Sequence, residues 1–217
     1  MLKVDKLDNR PISEKIVEQL QASLSSSDVD AYVFSDFRHG LFNRVTIPQF
    51  TARLAPGVLR AADSQVANRW GNILDFHGFD LIAPNEREAR FALADQDSTI
   101  RPLSLELYLK AGCKTLILKL GERGIITYRA PNDDVRSFFT VDSFAENVVD
   151  PVGAGDALLA YSTLALAATQ SSVIASILGS LAAAVACERE GNHPVSPDEV
   201  LKKLERVEQY TEYRVVG

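Results

Sequence analysis

Asp150-Pro151-Val152-Gly153-Ala154-Gly155-Asp156 follows the apolar pair Val148-Val149 and leads into the apolar run from Ala157 to Ala168. That order predicts a strand, a glycine turn and a helix. A helix that opens on two glycines presents unpaired backbone N–H groups and the positive end of its dipole to whatever sits above the turn. Such a turn suits a phosphate, or charge developing in a transition state. Asp156 adds a carboxylate in the first helical turn, beside the anion site. Anion binding alone does not call for an acid there. A reaction that stabilises a phosphate and removes a proton does, so the pairing points to phosphoryl transfer to a hydroxyl.

Outward from this turn, short apolar runs alternate with amphipathic ones. Helical spacing of Ile12, Ile16, Val17, Leu20 and Leu24 predicts a helix over 12–24, closed by Ser25 to Asp28. Strands are predicted at 31–35, ending at Asp36, at 58–62, ending at Asp63, and at 80–83. Helices are predicted at 48–54, from Asn85 to about Ala94, and over 103–111. The run Thr115 to Leu120 reads as a strand, and Gly121-Glu122-Arg123-Gly124 turns it into a hairpin partner at 125–129. Residues 131–134 read as a loop, and 137–141 as a further strand. Two helices follow Asp156, broken near Ser171-Ser172 and stopped by Gly191. Ser196, Pro197 and Glu199 then supply an N-cap, a first-position proline and a capping-box partner for the last helix.

Strands alternating with helices imply an α/β fold in three layers, a mostly parallel sheet with helices on both faces. Ligands in such sheets lie beyond the carboxyl ends of the strands. Asp36, Asp63, Asn85, Gly121 and the 150–156 turn all follow strands and are expected on that rim. No repeat or linker stands out, so one domain over 1–217 is expected, with 1–30 as a lead helix and 31–217 as the nucleotide-binding and catalytic part.

The 217 residues are 46% hydrophobic and 24% charged, the composition of an ordinary globular protein, and carry a net charge of −6. That charge, with no Lys/Arg stripe, excludes a typical nucleic-acid binder. The two cysteines, Cys113 and Cys187, have neither metal-ligand nor disulfide spacing, which fits a reducing cytoplasm. No signal region opens the chain at Met1 to Lys6, and polar residues interrupt the apolar stretch at 157–187, so no membrane span is expected. His39, His77 and His193 form no ligand spacing, and Trp70 and the aromatic residues at 32, 34, 37 and 42 are expected to pack the core.

Three glycine-rich turns compete for residues 150–156. A dinucleotide fingerprint needs a third glycine where this chain has Leu158, and an acid at 156 would repel a pyrophosphate. A P-loop needs a Gly-Lys pair, which the chain lacks. The segment resembles the Asp-x-x-Gly-Ala-Gly-Asp turn of the ribokinase-like carbohydrate kinases, the PfkB family, with Pro151 where Thr is usual. The segment at 81–88 is similar to that family's Pro-Asn-x-x-Glu segment, and 118–124 to its nucleotide-side Gly-x-x-Gly turn. Residues 183–194 are similar to its helix and loop beside the adenine. Ser35-Asp36-Phe37 with Gly40 resembles a segment of the heptose-phosphate kinase branch, although His39 stands where Lys is typical.

The resemblance implies ATP, magnesium and, in some members, a monovalent cation, with a small sugar or sugar-phosphate acceptor. It implies that Asp156 is the general base, and that Gly153, Ala154 and Gly155 donate N–H groups to the γ-phosphate. Asp156 has a simpler reading as an acid complementing the helix dipole. The glycines have one as residues that permit the turn. Asn85 and Glu88 either touch magnesium and phosphate indirectly or only cap a helix. Lys119, Gly121 and Gly124 either face the nucleotide or punctuate a hairpin. Asn192 falls in the nucleotide-side loop. Asp36 is assigned to the acceptor, and Asp150 to the acceptor, a cation or the shape of the loop.

Before Asp36 the chain shows no counterpart of the family's opening strands, β lid and Gly-Gly substrate motif. Three expectations follow: a fragment of a longer kinase, a short protein completed by a partner chain or a second copy, or a non-catalytic nucleotide-binding or assembly module.

Overall fold

The computed structural model describes residues 10–65, 73–130 and 137–215, so Trp70, the loop at 131–134 and the segment Met1 to Lys6 lie outside the described residues. The chain falls into two compact units, Met1–Cys113 and Lys114–Gly217.

In the first unit, helix α1 (Glu14–Ser25) precedes β1 (Ala31–Asp36), α2 (Thr46–Thr51), β2 (Leu59–Ser64), β3 (Leu81–Ile82), α3 (Glu86–Leu93) and α4 (Ile100–Ala111). Strands β1, β2 and β3 are all parallel, with Asp36 in register with Ser64 and Ala62 with Ile82. Their carboxyl ends therefore bring Asp36, Asp63 and Asn85 to one side of this unit. The strands are apolar because both faces are covered: Ala61, Ala62, Leu81 and Ile82 are fully buried. Beside them Phe34, Phe42, Phe50, Phe76 and Phe79 form a cluster of edge-on and tilted rings. Phe37 is a correction. It is 42% exposed and stacks loosely on His39, because it lies just past the end of β1 where no layer covers it. Helix α2 begins two residues earlier than Pro48, since Asn43 Oδ1 accepts the N–H groups of Val45 and Thr46 and starts the turn sooner.

In the second unit, β4 (Thr115–Lys119), β5 (Ile125–Arg129) and β6 (Phe138–Val141) form an antiparallel meander. Helices α5 (Ala154–Thr169), α6 (Ser172–Cys187) and α7 (Pro197–Val215) follow. Gln170 in the left-handed conformation ends α5, and Ser171 caps α6 by accepting the Ile174 N–H. Helices α5 and α6 approach closely at Gly179, where an added Cβ would lie 2.1 Å from Ser162 Oγ. Helix α6 is anchored to β5 by the 2.8 Å hydrogen bond between Ser176 and Thr127.

Val148-Val149 is the second correction. No strand forms there, and both side chains are nearly half exposed. Instead, the backbone N–H groups of Val149 and Asp150 both donate to the Cys187 carbonyl, at 2.8 and 3.1 Å. The segment satisfies its backbone against the end of a helix, so the β propensity of two valines goes unused. The end of α6 also differs from expectation. Glu188 closes the helix, and Gly191 lies beyond it in a loop at φ 78°.

Candidate active site

Gly153 caps α5 at φ 83°, a conformation that strains any residue with a Cβ. The added atom would also lie 2.2 Å from Asn192 Oδ1, so the loop at 191–194 sits directly over this turn. The first i→i−4 bond of α5 runs from Ala157 N–H to the Gly153 carbonyl, at 2.9 Å. The N–H groups of Ala154, Gly155 and Asp156 precede that bond and belong to the open first turn. Ala154 N–H bends back to the Pro151 carbonyl at 3.3 Å. The Asp156 side chain is half-buried in the same turn.

Asp150 holds the turn in shape. One carboxylate oxygen accepts the Val152 N–H at 3.0 Å, and the other accepts the Gly191 N–H at 3.1 Å. It thus ties the glycine turn to the Asn192 loop. Arg189 fixes the far side of that loop, donating to the His193 and Pro194 carbonyls and pairing with Glu199 at 2.7 Å.

A cavity of about 340 Å³ opens beside the turn, wholly within the second unit. Ala154 and Gly155 bound it on one side, and Lys119, Gly121 and Gly124 on another. The structure therefore unites the glycine turn with the hairpin turn that follows β4. Gly124 is required sterically, since an added Cβ would meet the Val141 carbonyl oxygen at 2.1 Å. Gly121 has open space around its Cβ position. Further walls come from the 143–148 segment, from one face of α6, and from Ile125, Pro151 and Leu158. Those segments carry two residues that motif reading missed, Ser143 and Ser180, whereas Ala183, Ala184 and Cys187 fall within the 183–194 stretch that the resemblance singled out. For Ser180, the available signal was the helical face it shares with those three.

Asp36, Asn85 and Glu88 belong to the first unit. Asn85 and Glu88 form a reciprocal capping box: Asn85 Oδ1 accepts the Glu88 N–H at 2.9 Å, and Glu88 accepts the Asn85 N–H at 2.7 Å. A third bond joins the two side chains at 2.8 Å, and Glu88 is buried. Asp36 is also buried, and its carboxylate accepts from Arg38 Nη1 at 2.7 Å, the Arg38 N–H at 2.9 Å and Ser64 Oγ at 2.9 Å. Among the described residues, no group of three His, Cys, Asp or Glu side chains forms a metal cage, and no helix is long and apolar enough to cross a membrane.

The chain is 27% identical over 211 residues to the bifunctional protein HldE of Sulfurimonas denitrificans, covering 92% of this chain and 41% of that protein. It thus spans less than half the length of that relative. Among solved structures, phosphofructokinase-2 from Escherichia coli, in complex with potassium, superposes with a TM-score of 0.75 at 19% identity. That match covers 91% of this chain and 64% of the other. Ribokinase from Arabidopsis thaliana, complexed with ribose and ATP, gives a TM-score of 0.66 at 20% identity, covering 90% and 60%. The fold is therefore the ribokinase-like α/β fold. The model of the pfkB family of carbohydrate kinases matches residues 56–199, and the chain belongs to that family.

Proposed function

We propose that this chain carries the nucleotide-binding and catalytic part of a sugar kinase, which transfers the γ-phosphate of ATP to a hydroxyl of a sugar or sugar phosphate. The observation that carries this reading is the single cavity bounded both by the 121–124 turn and by the first turn of α5, where Asp156 stands. The Asp156 carboxylate takes the proton of the acceptor hydroxyl as its oxygen bonds to the γ-phosphorus. The bond to the bridging oxygen breaks, and ADP leaves. The glycine turn, with the Gly155 N–H at the positive end of α5, stabilises the charge on the transferring group. Such reactions rely on positioning and charge stabilisation, which is what a rigid glycine turn supplies.

Gly153 and Asp150 are assigned to the shape of the turn, Asn192 to its cover, and Lys119, Gly121 and Gly124 to the nucleotide side. Asn85 and Glu88 close on each other and Asp36 on Arg38 and Ser64, so none of the three is assigned a contact with magnesium or acceptor. Magnesium is brought by the nucleotide phosphates, in keeping with its habit of binding few protein ligands. The solved ribokinase that holds ribose and ATP supports ATP as the donor.

Calorimetric titration of Mg-ATP, run beside ADP release over a panel of sugars and sugar phosphates, tests the reading. Binding with acceptor-stimulated ADP release supports it. Binding with no stimulation by any acceptor favours a non-catalytic nucleotide-binding module, and no binding overturns the nucleotide assignment.

A further inference from the structure

Residues 142–150 join β6 to the glycine turn without a helix or strand of their own. Three of them, Ser143, Ala145 and Val148, nevertheless wall the cavity. An irregular segment keeps one position only where its neighbours hold it. Its far end is held by the Val149 and Asp150 N–H groups on the Cys187 carbonyl, and Phe144 packs against the cluster of Leu181, Ala182 and Val200. Between those two anchors the hold is electrostatic. The Glu146 N–H donates to Glu188 Oε1 at 2.8 Å, and the Lys203 ammonium meets Glu188 at 2.7 Å and Glu146 at 3.2 Å.

Lys203 is only 3% exposed, and an ammonium buried that deeply is unfavourable unless it is paired. The converse matters more for the wall. Glu188 closes α6 at its carboxyl end, where the helix dipole is negative and an acid is disfavoured. Glu146 brings a second carboxylate to the same point. Take the cation away, and the two carboxylates repel each other. The segment is then pushed off α6 by the same side chain that now ties it down.

Lys203 does not itself line the cavity. Resting on the nucleotide reading above, we infer that Lys203 is a positioning residue for the nucleotide, holding the 143–148 wall against α6 from behind. It touches no ligand and acts through Glu146 and Glu188.

The test measures ADP binding by calorimetry for the full chain and for three variants, with melting curves to show that each is folded. Lys203→Met keeps most of the buried stem and removes the charge. Its ADP dissociation constant should rise roughly 3- to 30-fold, the range for coupling within one salt-bridge network. In Lys203→Met/Glu188→Gln the amide oxygen still accepts the Glu146 N–H, but the repulsion is gone. Affinity should return to within about twofold of the unaltered chain. A residue that only supports the fold would not regain binding on loss of a second charge. Glu146→Ala, at a side chain 56% exposed, should fold and raise the dissociation constant at least about twofold. Unchanged affinity in Lys203→Met overturns the inference, as does a double variant as weak as the single one. If Lys203→Met does not fold, Glu146→Ala decides, and unchanged affinity there overturns the inference. If the unaltered chain does not bind ADP, the nucleotide reading itself fails, and the inference falls with it. If the unaltered chain binds ADP and the variants bind it equally well, only the inference falls.

Discussion

Asp150 commits both carboxylate oxygens to backbone N–H groups, one of them 41 residues away. That distance explains why its role stayed open in the sequence. The pairs Asn85/Glu88 and Ser196/Glu199 were legible because each closes over three residues. Their chemistry is local, whereas that of Asp150 depends on where the chain returns. The thiols show the same division between residue and context. Cys113 is buried, and desolvation of its thiolate pushes its pKa from 9.0 up to about 12. A raised value means that the folded state favours the protonated thiol. The stabilisation is complete below pH 9 and is lost as pH rises toward 12. At pH 8.5, Cys113 should react with a thiol reagent far more slowly in the folded chain than in guanidinium. Reaction at the denatured rate would show that this side chain is not buried.

At the scale of elements, the stretch 157–187 divides into two helices because Gln170 adopts a left-handed cap and Ser171 restarts the chain. The break was readable from polar residues. What the sequence could not reveal was the closeness of the pair, which depends on Gly179 facing Ser162. Val148-Val149 misled for a related reason: β propensity reports a fit to a half-buried pleated surface, and no such surface receives these residues. Gly179→Ala would gain helix propensity, about 1 kcal/mol. It would also place a Cβ 2.1 Å from Ser162 Oγ and 3.0 Å from the Leu158 carbonyl. Overpacking of this kind costs about 1–3 kcal/mol and should prevail. A melting curve should show net destabilisation, and a higher melting temperature would contradict the close packing of α5 on α6.

At the scale of the whole molecule, the pfkB family match and the glycine turn agree on what the chain is, while its supports come from distant positions. Lys203 on α7 is buried and meets Glu188 at 2.7 Å and Glu146 at 3.2 Å. Glu188 also accepts the Glu146 N–H, so one buried cation anchors the segment that walls the cavity. No spacing rule links residues 146, 188 and 203. Removing the cation should cost about 3 kcal/mol, the lower end for a buried pair because Glu146 is 56% exposed. Denaturant unfolding of Lys203→Ala measures this, and a loss under about 0.5 kcal/mol would class the pair with ordinary surface salt bridges.

The central claim is that a carboxylate in the first turn of α5 removes the acceptor proton beside an anion-binding glycine turn. Acceptor-stimulated ADP release by the unaltered chain and by Asp156→Asn, with Mg-ATP affinity measured on the same samples, tests it most directly. The prediction is a fall in turnover of about 10²–10⁴-fold with melting temperature unchanged. Nucleotide affinity should be held or slightly improved, because the substitution removes a negative charge beside the phosphates. An Asp156→Asn variant that turns over at the unaltered rate would contradict the account.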